Sequence, residues 1–303
     1  MMPLKILILG RNGQVGWELQ RSLAPLGDVI ALDRNSQNYC GDLTNLAGLA
    51  QTVRAIRPDV IVNAAAHTAV DRAEGEPELA HTINTLAPSV LAHEAKACGA
   101  WLVHYSTDYV FDGGGAQARS EFDATSPLNV YGSTKLAGEA AIEASGCKHL
   151  IFRTSWVYAE RGNNFAKAIL KLAQEHETLS VINDQIGAPT GADLLADVTA
   201  LTLRQAQQDE HLSGIYHLAS LGETSWYGYA KFVTELARDA GVSLKVEPDG
   251  ILAVPSTDFP AVARRPLNSR LDTSKLRQSF GLHLPHWQVG VRRLLAETLD
   301  VKS

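Results

Sequence analysis

A short apolar run, Leu4-Lys5-Ile6-Leu7-Ile8-Leu9, passes directly into Gly10-Arg11-Asn12-Gly13-Gln14-Val15-Gly16. No other stretch narrows the fold as much. Glycines so placed permit a tight turn, close approach of backbone to a ligand and close packing of the next helix on the strand. A helix that opens at such a turn points unpaired N–H groups and the positive end of its dipole outward, which suits a pyrophosphate. The spacing is G-x-x-G-x-x-G, and a glycine turn alone also serves as a plain connector. Its position after a first strand and at the start of a first helix marks Gly10, Asn12, Gly13, Gln14, Val15 and Gly16 as candidate dinucleotide-binding residues.

The pattern downstream agrees with that start. Strands are expected at Leu4–Leu9, Asp28–Leu32, Val60–Asn63, Trp101–Tyr105, His149–Thr154 and Leu179–Ile182. Helical stretches are expected near 15–26, 45–56, 78–98, 128–144 and 163–176. Apolar strands separated by helices imply a parallel sheet covered on both faces, a doubly wound α/β fold of Rossmann type. The regularity weakens after about residue 185. A strand is expected at Gly214–Leu218, a helix near 225–240 and a Pro- and Arg-rich loop over about 251–270. A last amphipathic helix starts near Pro285-His286-Trp287, with Val289, Val291, Leu294 and Leu295 on its apolar side. The division expected is a dinucleotide-binding domain over 1–185, with return segments from the C-terminal third, and a smaller, mainly substrate-binding domain over 186–303.

Asp33 ends the second strand, where a carboxylate can accept hydrogen bonds from the adenosine ribose, and Arg34 beside it can hold a 2′-phosphate. Together they suit both NADH and NADPH. Asp42 and Leu43 are candidates to flank the adenine. Ala64, Ala65 and Ala66 close a strand in small side chains against which a ligand can lie, although core packing explains such a run equally well. Tyr105 completes the candidate cofactor set.

Tyr131-Gly132-Ser133-Thr134-Lys135 places a phenol and an ammonium at i and i+4 on one helix face. The ammonium favours the phenolate, so the phenol is expected to become a stronger acid, and Lys135 can also hold a ribose. The plain alternative is a surface pair with a half-buried tyrosine. Upstream, Tyr105-Ser106-Thr107-Asp108-Tyr109 ends an apolar strand in hydroxyls and a carboxylate. Ligand crevices of doubly wound sheets lie at those strand ends. A carbonyl receiving hydride needs a proton donor and a hydrogen-bond donor. Tyr131 and Thr107 can supply them, while strand-end capping is the structural alternative for Ser106 and Thr107.

Composition excludes several other classes. The 303 residues are 45% hydrophobic and 20% charged, with a net charge of −6, so nothing favours nucleic acid or an anionic membrane as partner. No segment reads as a secretory signal, and Cys40, Cys98 and Cys147 are too scattered for a disulfide framework, so a reduced cytoplasmic setting is expected.

These motifs resemble the extended short-chain dehydrogenase/reductases. Within that superfamily, "GQVGWELQ", "NAAAHTAVDRAE", "YSTDYVFDG", "SPLNVYGSTKLAGE", "RTSWVY", "INDQIGAPTGA" and "RRPLNSRLDTSKL" resemble the dTDP-4-dehydrorhamnose reductase family along nearly the whole chain. The resemblance implies NADPH- or NADH-dependent reduction of dTDP-4-dehydro-β-L-rhamnose to dTDP-L-rhamnose, the last step of rhamnose donor synthesis. It implies Tyr131, Lys135 and Thr107 as catalytic, and Thr107, Asp108 and Trp156 as substrate-binding. It further implies a homodimer, a link to lipopolysaccharide synthesis and, as in some members of the family, an Mg²⁺ bound by carboxylates at the dimer interface, with Glu18, Asp193 and Glu297 as the candidates. Related dehydratases carry Glu after the Asp, where Tyr109 stands here. Epimerases and non-catalytic NADP-binding relatives remain as alternatives. Asn268, Arg265 and Arg270 are candidates to reach a diphosphate, with domain packing the equal alternative.

Overall fold

The computed structural model describes residues 3–299, so the outermost residues of the two expected domain ranges, 1–2 and 300–303, lie outside it. In chain order the N-terminal part runs β1 (Leu4–Leu9), α1 (Gln14–Leu23), β2 (Gly27–Leu32), α2 (Leu46–Ile56), β3 (Val60–Asn63), α3 (Val70–Gly75), α4 (Pro77–His81), α5 (Ala87–Cys98), β4 (Trp101–Thr107), α6 (Val130–Ser145) and β5 (Lys148–Thr154). The remainder runs β6 (Val157–Tyr158), α7 (Phe165–Glu175), β7 (Leu179–Ile182), β8 (Ile186–Gly187), β9 (Thr190–Gly191), α8 (Ala192–Ala206), β10 (Gly214–His217), β11 (Thr224–Ser225), α9 (Trp226–Asp239), β12 (Ile251–Val254), α10 (Ser274–Phe280) and α11 (Trp287–Thr298).

Six parallel strands form the main sheet in the order β10-β5-β4-β3-β1-β2. Ile6 to Leu9, Val60 to Val62, and Leu102 and Val103 have no exposed surface, because helices cover both faces. Burial on both faces is why these strands read as continuous apolar runs rather than as alternating ones. The registers Leu9↔Asn63, Asn63↔His104 and Thr107↔Thr154 bring the C-terminal ends of four strands to one edge. Gly16 of α1 lies against the Gly10 carbonyl, closer than any Cβ would allow, and this seats α1 at the end of β1.

The C-terminal third contributes to this sheet. β10 pairs with β5 at the sheet edge, and α8 packs beside α1. A second apolar core forms among α7, α9, α11 and the β7–β12 pair, around Tyr229, Phe232, Val233, Trp287 and Val291.

Four expectations need correction. Leu179–Ile182 is a strand, but it pairs with β12 in a separate two-stranded sheet and not in the main one. β12 itself falls in the stretch expected to be loop. Its four residues between Pro248 and Pro255 are too few to show a period. Val289 is 58% exposed, and Trp287 takes its place on the buried face of α11. The helix expected over 78–98 is interrupted by a π-helical turn, Thr82–Leu86. Pro88 has no N–H to return to the Asn84 carbonyl, so the ladder must change register there.

A buried ion pair ties α6 to β5. Arg153 donates from Nε at 3.0 Å and from Nη2 at 2.6 Å to the Glu139 carboxylate, with both side chains nearly inaccessible, and its guanidinium lies 5.2 Å from the Phe111 ring. Losing one partner leaves an uncompensated buried charge. Glu139→Ala should therefore lose about 3–5 kcal/mol of stability in urea titration. The double variant Glu139→Met/Arg153→Met should recover most of that loss. Equal losses in both proteins would contradict this account of the pair.

Candidate functional site

The aligned strand ends open onto a crevice of about 840 Å³. Gly10, Asn12, Gly13, Gln14, Val15, Arg34, Ala64, Ala65 and Ala66 line one part of it. Thr107, Asp108, Tyr131, Lys135 and Trp156 line another, together with Tyr105. Segments far apart in sequence thus meet where the fold rule puts a ligand.

Gly10 has φ +91°, and a Cβ there would sit 2.9 Å from the Ala64 and Ala65 backbone. Only glycine lets these two strand ends touch. Asp33 is held by its own neighbours: Arg11 Nε donates to Oδ2 at 2.8 Å, Asn12 Nδ2 at 2.5 Å, and the Asn35 N–H to Oδ1 at 2.9 Å. Desolvation pushes the Asp33 carboxyl up, but the Asn35 N–H and Arg11 outweigh it and hold the carboxyl below its ordinary value. Asp42 and Leu43 do not reach the crevice lining. Asp42 accepts from the Thr44 N–H at 3.0 Å, and Leu43 is buried in the core on the α2 side. The Tyr105 side chain is also committed elsewhere. Its hydroxyl meets Thr199 of α8 at 2.6 Å and its ring packs on Phe152, so it faces the crevice only in part.

Tyr131 stands in the first turn of α6, whose N-terminus is capped by Asn129 accepting from the Gly132 N–H. Burial pushes the phenol up to about 12, and a hydrogen bond with Thr107 only partly offsets this. The expected lowering of Tyr131 by Lys135 is therefore not met in this arrangement. The reason is geometric: Lys135 Nζ donates to the Tyr105 carbonyl at 2.6 Å and lies 3.0 Å from His104 Nε2. Desolvation pushes Lys135 down to about 8. Asp108 is pushed up to about 6 by burial, against hydrogen bonds from Ser269 and Thr107, and its Oδ2 is buried without a partner.

Sequence reasoning missed several lining residues. Thr154 Oγ1 and Ser155 Oγ are buried, unpartnered and on the crevice wall. The strand-end logic applied to Thr107 would have found Thr154, its register partner on β5. Trp226 was also missed. Its indole stacks on Trp156 with centroids 3.7 Å apart, and its Nε1 donates to Gln185 at 3.0 Å. One face of Trp156 is thus covered, and Gly187 lies against the same ring. Arg265 and Arg270 are spent on Asp71 and Glu223, and Asn268 donates to the Gln117 carbonyl, so these three hold loops together.

Glu18, Asp193 and Glu297 do line one cavity, of about 470 Å³, distinct from the crevice. They do not fit a magnesium ion within this chain. Arg293 lies between two of them, 3.3 Å from Asp193 and 3.0 Å from Glu297, and Arg21 is 3.4 Å from Glu18. The cavity's own guanidinium groups supply the positive charge. Among the described residues no group of three His, Cys, Asp or Glu side chains is arranged to hold a metal ion.

Comparison with known proteins adds independent findings. The family model described as the RmlD substrate binding domain matches residues 4–299. The dTDP-4-dehydrorhamnose reductase of Escherichia coli (strain K12) is 59% identical over 294 residues, covering 97% of this chain and 98% of that protein. The reductase of the same name from Burkholderia thailandensis is 44% identical, over 98% of this chain and 100% of that protein. The crystal structure of dTDP-4-dehydrorhamnose reductase from Bacillus anthracis str. Ames, in complex with NADP, superposes with a TM-score of 0.87 at 36% identity, covering 98% of this chain and all of that one.

The raised Asp108 carboxyl carries a stability consequence. Between its unfolded value and about 6 the folded chain binds the extra proton, so its contribution is present at low pH and is lost as pH rises through about 6. Asp108→Asn should be stabilised relative to the parent at pH 8 and not at pH 4, by an amount on the order of 2–3 kcal/mol. Urea titrations of both proteins across that range check it. A pH-independent difference would contradict the assignment.

Proposed function

The chain belongs to the dTDP-4-dehydrorhamnose reductase family, and from that premise we infer that it reduces the C4 keto group of dTDP-4-dehydro-β-L-rhamnose to give dTDP-β-L-rhamnose, using a nicotinamide cofactor. It is an oxidoreductase, and its substrate is a sugar nucleotide. Reduced nicotinamide supplies the hydride when bound. The chain's own residues do the rest.

The observation that carries the residue assignment is the convergence of Tyr131 and Thr107 on one crevice at the strand ends, which the glycine turn opening α1 also lines. Hydride arrival at C4 leaves negative charge on O4. A phenol held protonated is the right starting state for the acid of a reduction, and burial keeps Tyr131 protonated far above neutral pH. We assign Tyr131 as proton donor to O4, the Thr107 hydroxyl as the group that orients the carbonyl, and Asp108 with Trp156 as sugar-contacting residues. The α1 N-terminus and the Gly10–Gly16 turn suit the pyrophosphate. Arg11 and Arg34 suit a 2′-phosphate, while Asp33 suits a free ribose, so both NADPH and NADH are expected to serve. Tyr109 packs edge-on against the Tyr131 ring at 5.5 Å, and an aromatic there gives no second carboxylate for elimination of water.

Residues 1–185 are assigned mainly to the cofactor, with β10 and α8 returning to that part, and 186–303 mainly to the substrate. Among the described residues no helix is long and apolar enough to cross a membrane, and the three cysteines are unpaired. A cytoplasmic setting is part of the proposal. The working form is proposed as a homodimer, and the product as a donor for lipopolysaccharide.

Purified protein mixed with NADPH and the 4-keto sugar nucleotide should oxidise the cofactor in step with formation of dTDP-L-rhamnose. Tyr131→Phe should lower kcat by roughly two to four orders of magnitude while cofactor affinity stays nearly unchanged. Near-full activity in that variant would remove Tyr131 from the role. Arg34→Ala should raise KM for NADPH about tenfold with little effect on NADH, on the order of one lost phosphate contact. Equal changes for both cofactors would place Arg34 away from the 2′-phosphate.

A further inference from the structure

Trp156 stands in a backbone conformation that its side chain does not favour. It follows β5 with φ +49°, in the left-handed region that a bulky residue rarely enters. Such a conformation persists only where the surroundings fix it. One fixing contact is on the backbone. The Trp156 carbonyl accepts from the Thr190 N–H at 3.2 Å, and Val157 beside it pairs with Thr190 of β9. The others are on the indole, and they come from the C-terminal part of the chain.

That indole rests on a small ribbon. β8 and β11 pair antiparallel, with Gly187 opposite Thr224 and Ile186 opposite Ser225. On its other side Ile186 accepts from the Ser269 N–H and donates to the Leu267 carbonyl, both at 2.8 Å. Trp226 leaves β11 at the start of α9, whose first turn is capped by Ser225 accepting from the Gly228 N–H at 3.0 Å. Its ring lies within 13° of parallel to Trp156. Its Nε1 can only donate, and it donates to the buried Gln185 side chain. Phe165 of α7 packs on it as well, with centroids 4.6 Å apart. Trp226 is thus anchored in the second core while it lines the crevice. Gly187 leaves no slack: a Cβ there would lie 2.8 Å from Trp156 Cε2 and 3.1 Å from the Ser269 Cβ. Ser269 in turn hydrogen-bonds Asp108.

We propose that Trp226 is a positioning residue for the sugar: with Gly187 it fixes the Trp156 indole in the crevice, so the β8–β11 ribbon sets the affinity for the hexose part of the sugar nucleotide. Without the stack, the Trp156 backbone is free to leave its left-handed conformation and carry the indole away from the sugar. The two side chains assigned to the sugar, Asp108 beyond β4 and Trp156 beyond β5, then have one support in common. The identity of the sugar rests on the reductase reading, whereas the indole stack does not, so separate measurements address them.

Stacked indoles give an exciton couplet in far-ultraviolet circular dichroism. Trp156→Phe and Trp226→Phe should each abolish the same couplet, and a couplet that survives either change would overturn the proposal. Calorimetry on the protein loaded with NADP compares dTDP-L-rhamnose with dTDP alone, which lacks the sugar. Trp226→Leu should weaken dTDP-L-rhamnose about tenfold, on the order of one lost aromatic contact, and leave dTDP and NADP nearly unchanged. In turnover, KM for the 4-keto sugar nucleotide should rise by the same factor with kcat little altered. Gly187→Ala leaves Trp226 and the second core in place and asks for no left-handed backbone, because Gly187 is not in that region. It presses a Cβ on the Trp156 ring, and it should show the same selective loss. Unchanged affinity for dTDP-L-rhamnose in either variant, or an equal loss for dTDP-L-rhamnose, dTDP and NADP, would overturn the proposal. A parent protein that shows the couplet but binds no dTDP-L-rhamnose would instead sink the reductase reading, with the indole pair left standing.

Discussion

A lysine with almost no access to water holds the site together. The Lys135 amine meets the Tyr105 carbonyl at 2.6 Å and so fastens α6 to the end of β4. That bond sets where Tyr131 stands, one helical turn away, and the Arg153–Glu139 pair fixes the same helix to β5 one turn further on. Neither tie is cheap, because each takes charged or chargeable groups out of water. Together they hold the start of α6 against strand ends whose hydroxyls and carboxylate would otherwise only cap the sheet.

The same burial sets the chemistry. It raises the Tyr131 phenol and the Asp108 carboxyl and lowers the Lys135 ammonium, so each group is pushed toward its neutral form. A crevice that holds a protonated phenol beside a hydroxyl, closed on one side by Gly10 against the Ala64–Ala65 backbone, is suited to a reaction that creates negative charge on an oxygen. The expectation that an ammonium would acidify the phenol gave too much weight to helical spacing. Positions i and i+4 share a face, but Lys135 turns toward a backbone carbonyl that spacing alone does not reveal.

What was legible in the sequence follows one rule. Strands buried on both faces and turns rich in glycine leave strong local marks, so β1, β3, β4 and β5, the glycine turn and the Thr107–Tyr131 convergence could be read directly. Features that depend on a distant partner left none. β12 is a strand because β7 lies beside it, and Trp226 reaches the crevice because it stacks on Trp156. Asp42 and Leu43 mark the opposite case. They sit near a strand end in sequence, yet a local turn and the core beneath α2 absorb them. For Glu18, Asp193 and Glu297, the carboxylates do share a cavity, but Arg293 and Arg21 occupy the electrostatic role expected of a cation.

The central claim is that hydride reaches C4 of a sugar nucleotide in the crevice at the ends of β1, β3, β4 and β5. The most direct test is to supply NADPH carrying deuterium at the transferred position and to locate the label in the product by NMR. Deuterium at C4 of dTDP-L-rhamnose, with one cofactor oxidised per product, is the result predicted. Product with no deuterium at C4, or sugar interconversion with no net oxidation of cofactor, would contradict the account.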